Sequence, residues 1–254
     1  PFAQEYIANL KKVIDLKKID YIIVNHSEVD HSGALPVLMK LIPQTPICCT
    51  ANGAKLLKAH YQEDWKFIEV KTGDTLDLGD NKIYFIEARM LHWPDSMMSY
   101  LTEDEILFSN DAFGQHYAST ERFDDDFIAS ASEAELEDAV IDYYANILMP
   151  FGKLIKAKIG EIKKLGIPVD MIAPDHGFIW RKNPGKVMDM YLNMASGKTN
   201  LRIAIIYDTM WHGTEIMTQP VVQGIKDEGV PCKVIKLRAT PMSVAIKEFW
   251  NSRG

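Results

Sequence analysis

The chain of 254 residues carries a net charge of −7, and 47% of its residues are hydrophobic and 25% charged. This balance excludes a disordered or low-complexity chain, and the acidic pI near 5.5 argues against a nucleic-acid partner. The sequence shows no apolar run as long as a membrane span, and its three cysteines are too few for a disulfide framework, so a cytoplasmic location is expected.

The predicted elements alternate between amphipathic helices and short apolar strands over most of the chain. Helical periodicity covers residues 6–16, 34–41, 51–61, 134–148, 151–165 and 186–194. Apolar runs predict strands at residues 21–24, 46–49, 66–70, 83–86, 106–108 and 171–173. This order predicts a layered α/β domain in which helices flank two sheets.

The first strand leads into a segment with four metal-capable side chains in six positions: His26, Glu28, Asp30 and His31. In an extended segment alternate side chains share a face, so the first three are predicted to converge while His31 turns away. One such loop could serve two metal ions. Imidazoles mixed with carboxylates suit iron or manganese better than the thiolate sets of structural zinc sites. The alternative is a solvated polar loop.

Three later strands also end in short loops that contain a histidine or an aspartate. These residues are His92, Asp111 and His176, and each taken alone could be an ordinary hydrogen-bonded loop residue. Together with the first loop they make seven candidate metal ligands at strand ends, where loops commonly carry function. Asp95, Asp175 or backbone carbonyls are candidate acceptors that orient the imidazoles.

A second unit is predicted after the polar linker at residues 195–200. A buried strand over residues 201–207 runs into a hydroxyl-rich loop that opens a helix at residues 214–228, and another strand follows at 231–237. The helix N-terminus offers free amide donors, and Thr209 and Thr214 offer hydroxyls, so the loop is a candidate phosphate site. The alternative is an ordinary capped helix.

The metal-ligand pattern resembles that of the metallo-β-lactamase-like domain of flavodiiron proteins. The matching residues are His26-x-Glu28-x-Asp30-His31, His92, Asp111 and His176. Hydrolases of this superfamily usually carry a second histidine where this chain has Glu28. The resemblance implies an αββα sandwich over residues 1–196, with its first strands missing, and then the truncated start of a flavodoxin-like doubly wound parallel sheet over residues 197–254.

The resemblance also implies two non-haem iron ions and flavin mononucleotide (FMN). Asp111 would bridge one iron held by His26, Glu28 and His92 and another held by Asp30, His31 and His176. FMN would bind the loop of Thr209, Met210, Trp211, His212, Gly213 and Thr214. Family members commonly have a small or hydroxyl residue at His212-Gly213, so one phosphate contact is expected to differ here.

The implied activity is reduction of dioxygen to water, of nitric oxide to nitrous oxide, or of both. FMN would relay electrons from rubredoxin or another reduced donor, such as a deazaflavin, within a head-to-tail homodimer or a tetramer. Two alternatives are a zinc hydrolase of the same fold, such as a thioesterase, and a non-catalytic flavin electron carrier or gas sensor. Glu28 argues against the hydrolase, and the complete ligand set argues against the carrier.

Overall fold

The computed structural model describes residues 2–254, whose first unit contains two β-sheets. The smaller sheet is parallel, in the order β1 (Ile22–Ile23), β2 (Ile47–Cys49) and β3 (Phe67–Glu69). The larger sheet contains β4 (Thr75–Asp77), β5 (Lys82–Glu87), β6 (Met97–Leu101), β7 (Ile106–Asn110) and β8 (Met171–Pro174). Its strands are antiparallel except for the pair β7 and β8.

The sheets pack on each other through apolar side chains and are flanked by helices. One buried cluster joins Cys48 of the small sheet to Phe85 and Met97 of the large sheet. The helices of this unit are α1 (Ala3–Val13), α2 (Val29–Ser32), α3 (Leu35–Leu41), α4 (Ala51–Tyr61), α5 (Asp124–Ser130), α6 (Glu133–Tyr143), α7 (Gly152–Leu165) and α8 (Pro184–Ala195). The predicted α/β sandwich with two sheets is thereby confirmed.

Local sequence explains the helix limits and the faces that the helices bury. On α7, Ile155, Ile159 and Ile162 recur at helical spacing and are buried, which fixes the inward face. The helix ends at Gly166, whose φ of 64° is the left-handed conformation that glycine adopts without a steric penalty. Thr50 caps the N-terminus of α4, because its side chain accepts a hydrogen bond from the Gly53 amide.

Two predictions about local structure need correction. The helix predicted at residues 134–148 is α-helical only to Tyr143, and the chain continues as a π-helix over Tyr144–Leu148. The extended conformation predicted through His31 is wrong, because the backbone turns into the helix α2 at Val29. A helical turn separates neighbouring side chains by about 100° rather than by the half-turn of a strand, so His31 does not point away from the other candidate ligands.

The second unit is a parallel strand pair with two helices. Its elements are β9 (Ile203–Tyr207), α9 (Gly213–Asp227), β10 (Cys232–Lys236) and α10 (Met242–Asn251). α10 packs against the first unit: the ring centroids of Trp250 and Tyr144 are 5.5 Å apart, and the Lys247 ammonium lies 2.8 Å from Asp138 Oδ2. Between residues 2 and 254, no helix combines the length and the apolar character that a bilayer span requires.

Candidate metal centre

The segment after β1 changes from loop to helix, and this change arranges four candidate ligands. The Ser32 hydroxyl stabilises the turn. Its oxygen lies 2.7 Å from the Ser27 carbonyl oxygen and 3.0 Å from the Glu28 carbonyl oxygen, so the hydroxyl can donate to either. Gly33 allows the turn to close, because a β-carbon there would lie 2.5 Å from the Val29 carbonyl oxygen. The loop carries His26 and Glu28, and the helix α2 carries Asp30 and His31.

The parallel pairing of β7 and β8 brings two further candidates to the same edge of the large sheet. Asp111 follows β7 and His176 follows β8, and the register pairs Asn110 with Pro174 at the ends of these strands. The Asp175 amide donates to the Asn110 carbonyl oxygen at 3.0 Å, which extends the ladder into the loops. The carboxyl ends of two adjacent parallel strands therefore present an aspartate and a histidine side by side.

Gln115, which the sequence analysis did not single out, joins these two loops. Its backbone amide donates to the His176 carbonyl oxygen at 3.2 Å, and its buried side-chain oxygen accepts from the Phe178 amide at 2.8 Å. Gly177 makes the close approach feasible, because its φ is 81° and a β-carbon there would lie 2.4 Å from the Gln115 side-chain oxygen. The amide side chain thus fixes the loop that positions His176.

The first group of candidate ligands contains His26, Glu28 and His92. Glu28 Oε2 lies 3.2 Å from His26 Nε2 and 3.5 Å from His92 Nε2. His26 is buried, whereas the Glu28 side chain is 37% exposed, so the group opens to solvent on its carboxylate side. One ligand atom from each residue lies within 4.8 Å of the other two, as required for binding one metal ion.

The second group contains Asp30, His31 and His176. Asp30 Oδ2 lies 3.5 Å from His31 Nε2 and 3.3 Å from His176 Nε2. This group also meets the 4.8 Å limit, and its carboxylate is again the exposed member, with 52% of the Asp30 side chain accessible. The two groups therefore have the same composition of two imidazoles and one carboxylate.

Asp111 lies between the two groups, and each of its oxygens faces one of them. Oδ2 is 3.7 Å from His26 Nε2 and 3.5 Å from His92 Nε2. Oδ1 is 3.2 Å from His31 Nε2 and 3.3 Å from His176 Nε2. All seven predicted ligand residues are thus brought together, and the carboxylate of Asp111 has the orientation of a bridge between two cations.

The donor atoms fit metal ions in spacing and in chemistry. Metal bonds of about 2.1 Å in a tetrahedral site place neighbouring ligand atoms about 3.4 Å apart, close to the separations within each group. Asp111 is 1% exposed, and its Oδ2 atom forms no hydrogen bond with any of the described residues. A buried carboxylate oxygen without a donor is costly unless a cation lies beside it. The geometry supports a dinuclear site.

Two further carboxylates orient imidazoles from the outer side. Asp95 is buried and lies 3.3 Å from His26 Nδ1, and it also accepts a hydrogen bond from the Ser27 amide at 2.7 Å. Asp175 Oδ2 lies 3.1 Å from His31 Nδ1. A carboxylate on Nδ1 fixes the tautomer that leaves Nε2 free as a metal ligand. Both candidates for this role, which the sequence left open, occupy the expected positions.

The carboxylates make the centre strongly attractive to positive charge. Burial alone would lower the pKa of His31, but Asp111 and Asp175 together raise it to about 10. Burial alone would raise the pKa of Asp111, yet hydrogen bonds from His176 and His31 hold it well below its ordinary value. Without metal, protons on the imidazoles therefore take the place that cations would occupy.

These shifts predict how pH changes the stability of the metal-free protein. The raised pKa of His31 adds to the free energy of unfolding. This contribution is fully present below the unfolded-state pKa of 6.5 and is lost as pH rises through about 10. The melting temperature of chelator-treated protein should therefore fall between these two pH values. The melting temperature of metal-loaded protein should fall less over the same pH range, because the cation replaces the proton. Parallel melting curves with and without metal would contradict this assignment.

Tyr143 is a buried contact of the centre that sequence patterns did not reveal. Its hydroxyl donates to Asp111 Oδ1 at 3.3 Å, and burial together with the Asp111 charge raises its pKa, so it keeps its proton. The exposed His116 packs edge-on against Tyr143, with 4.7 Å between ring centroids, and lies 5.3 Å from the His176 ring. The α6 periodicity marked Tyr143 only as part of a helix.

The predicted flavin loop lies at the start of α9, beside a pocket of about 520 Å³. Thr209, Met210, Trp211, Gly213 and Thr214 line this pocket, together with Asp208 and Arg238. His212 instead approaches Glu215, with 2.8 Å between Nδ1 and Oε2, and its φ of 63° is left-handed. Trp211 is 86% exposed.

Two facing sheets flanked by helices, with histidines and carboxylates at the strand ends, define a domain of the metallo-β-lactamase class. The model of the family described as ODP family beta lactamase matches residues 2–177, which is more than half of the chain, and the chain belongs to that family.

Named relatives agree with the resemblance to flavodiiron proteins. The anaerobic nitric oxide reductase flavorubredoxin of Salmonella typhi is 46% identical over 257 aligned positions, which cover 100% of this chain and 53% of that protein. The chain thus spans about half the length of the curated relatives it matches. The resemblance itself is confirmed.

Solved structures give the same result. Rubredoxin oxygen:oxidoreductase from Desulfovibrio gigas superposes with a TM-score of 0.94 at 36% identity, covering 98% of this chain and 62% of that one. The flavodiiron protein from Giardia intestinalis gives 0.90 at 27% identity, covering 98% of this chain and 60% of that one.

Proposed function

We propose that the seven side chains hold two iron ions and that the protein reduces nitric oxide, dioxygen or both. The observation that carries this proposal is the position of Asp111, whose two oxygens face two separate groups of the same composition. His26, Glu28 and His92 would hold one ion. Asp30, His31 and His176 would hold the other. The names of the bacterial relatives support this chemistry.

The donor set favours iron over the metals of hydrolases. Each ion would have imidazole and carboxylate donors without a thiolate, a combination that stabilises both ferrous and ferric states. When bound, an iron pair supplies electrons and open coordination positions for a diatomic gas. Asp95 and Asp175 keep the His26 and His31 rings in the ligating orientation from their outer nitrogens. The hydrolase and carrier alternatives gain no support from the relatives.

Protons are consumed in either reduction, and Tyr143 is placed to hold one next to the centre. Its hydroxyl hydrogen points to Asp111 Oδ1, and its raised pKa keeps the group protonated. His116 is an exposed residue that packs edge-on against Tyr143, and partial burial of its ring together with the charge of His176 lowers its pKa. The two rings are in edge-on contact, and we propose that they hold protons beside the bridging carboxylate.

Tyr143→Phe should lower turnover by about tenfold while the iron content stays unchanged. The substitution keeps the ring that packs against His116 and removes only the hydrogen bond to a charged acceptor. Steady-state gas consumption by anaerobically purified protein measures the effect, and metal analysis is the control for loss of the ligands. Unchanged turnover at full iron content would exclude Tyr143 from the reaction.

The second unit is proposed to carry the flavin. Residues 1–196 would form the diiron domain, and residues 197–254 would contribute the phosphate loop of a flavodoxin-like domain to which FMN binds. The pocket at α9 and the word flavorubredoxin in the relatives' names support this assignment. Rubredoxin or another reduced carrier would deliver electrons. A head-to-tail homodimer would bring a partner's flavin to the side where Glu28 and Asp30 are exposed.

The activity is tested on the full-length protein. Protein loaded with iron and FMN is reduced without oxygen and then exposed to nitric oxide or dioxygen in separate vessels. Consumption of at least one gas at a rate that depends on the reduced donor supports the proposal. Failure to consume either gas, at full iron and flavin content, would refute it.

A further inference from the structure

An exposed ion pair lies across the pocket at the start of α9. Arg238 follows β10 and meets Asp208, which follows β9, because the two parallel strands end at the same edge. Its Nε lies 2.5 Å from Asp208 Oδ1, and its Nη2 lies 3.0 Å from Asp208 Oδ2. Both residues line the pocket, although Arg238 lies outside the loop sequence that predicts phosphate binding.

In addition to this ion pair, the pocket has other features of an anion site. α9 is a helix of 15 residues whose first amides lie at the loop, where the helix dipole favours negative charge. Thr209 also lines the pocket and is only 9% exposed. Its backbone amide donates to Asp208 Oδ1 at 2.9 Å. A largely buried threonine in the wall of a pocket offers its hydroxyl to a ligand with hydrogen-bond acceptors.

The charges around the pocket single out one cation. Glu215 lies in the first turn of α9. Its Oε2 is 2.8 Å from His212 Nδ1 and 3.1 Å from the Lys236 ammonium, so Lys236 balances its charge. Within residues 2–254, Arg238 is the one basic side chain that lines the pocket. Its present partner, Asp208, is an acid that would otherwise repel a phosphate from the loop.

We propose that Arg238 binds the phosphate group of the flavin mononucleotide in competition with Asp208, its ion-pair partner. This inference rests on the proposed flavin function of the second unit. A guanidinium binds phosphate oxygens through two parallel hydrogen bonds, and a dianion at a helix N-terminus competes effectively with a single carboxylate. Exposed ion pairs contribute little to stability, so the Asp208 contact is readily exchanged. Arg238 therefore selects phosphorylated flavin over riboflavin.

The test compares two flavins that differ only in the phosphate. Flavin-depleted full-length protein is titrated with FMN and with riboflavin, and binding is followed by quenching of flavin fluorescence. Arg238→Gln should weaken FMN binding by about tenfold and leave riboflavin binding unchanged. Retained riboflavin binding shows that the variant is folded. Lys233→Gln removes an equal charge from the exposed side of β10 and should change neither affinity.

The competing carboxylate gives a second prediction of opposite sign. Asp208→Asn keeps an oxygen for the Thr209 amide but frees the guanidinium, so FMN should bind severalfold more tightly while riboflavin is unaffected. Equal losses for both flavins in the Arg238 variant, or weaker FMN binding in the Asp208 variant, would overturn the inference. Wild-type protein that binds neither flavin would instead refute the proposed function of the unit.

Discussion

Asp111→Asn should reduce the iron content from two ions per chain to one or none and lower gas consumption by at least about 100-fold. Among residues 2–254 the Asp111 carboxylate is the one acidic group that approaches imidazoles of both metal groups, at 3.2 Å to His31 and 3.5 Å to His92. An amide has the same shape but no charge, and only one of its two terminal atoms can donate a lone pair to a cation. A shared pair of ions therefore loses its bridge.

The measurement is metal analysis of protein purified without oxygen, followed by the gas assay on the same sample. Asp64→Asn is the matched control, because this aspartate side chain is 98% exposed and belongs to neither metal group. The control should keep both ions and full turnover. An Asp111 variant that retains two irons and normal turnover would show that this carboxylate does not bridge them.

Glu28→His should shift the metal preference from iron towards zinc and lower gas reduction by at least about 100-fold. The substitution recreates the histidine that hydrolases of this superfamily usually carry. Glu28 Oε2 lies 3.2 Å from His26 Nε2, so the carboxylate contributes directly to the first group. Replacement by a neutral imidazole removes a hard anionic donor that stabilises ferric iron and leaves a three-histidine set typical of zinc.

Competition between equal iron and zinc during refolding or reconstitution measures the change in preference. Glu63→His provides the control, since it adds a histidine at an exposed position outside the metal groups. We expect the control to load iron as the wild type does. Equal iron loading and turnover in the Glu28 variant would mean that the carboxylate at this position does not determine the chemistry.

The sequence was sufficient to predict which candidate ligand residues come together and which strands precede them. Apolar runs mark β5, β7 and β8, and the polar residue after each run must lie at a strand end. Because β7 and β8 are parallel neighbours, Asp111 and His176 meet at one edge. Local pattern and simple sheet geometry therefore predict which side chains can converge.

Local sequence pattern alone was less able to predict which ligand belongs to which group, because the division depends on where the backbone turns from an extended loop into a helix. Alternation along an extended segment placed Asp30 with His26 and Glu28. The turn into α2, fixed by the Ser32 hydroxyl and by Gly33, moves Asp30 to the second group instead. A helix of four residues is too short to show helical periodicity, so the sequence pattern did not predict α2.

Supporting residues from distant segments were also invisible to sequence patterns. Gln115, Tyr143 and Arg238 act through partners 30 to 63 positions away, and none belongs to a repeating or metal-binding motif. Each becomes recognisable only when tertiary packing puts its polar atoms beside a candidate site. The π-helix after Tyr143 is a similar case, since its residues have the same apolar pattern as an α-helix.

The presence of two iron ions around Asp111 is best tested by anomalous diffraction at the iron edge from crystals of anaerobically purified protein. We expect two iron peaks about 3.5–4 Å apart, one near the Nε2 atoms of His26 and His92 and the other near those of His31 and His176, with Asp111 between them. A single peak, or two peaks that vanish at the iron edge and appear at the zinc edge, would contradict it.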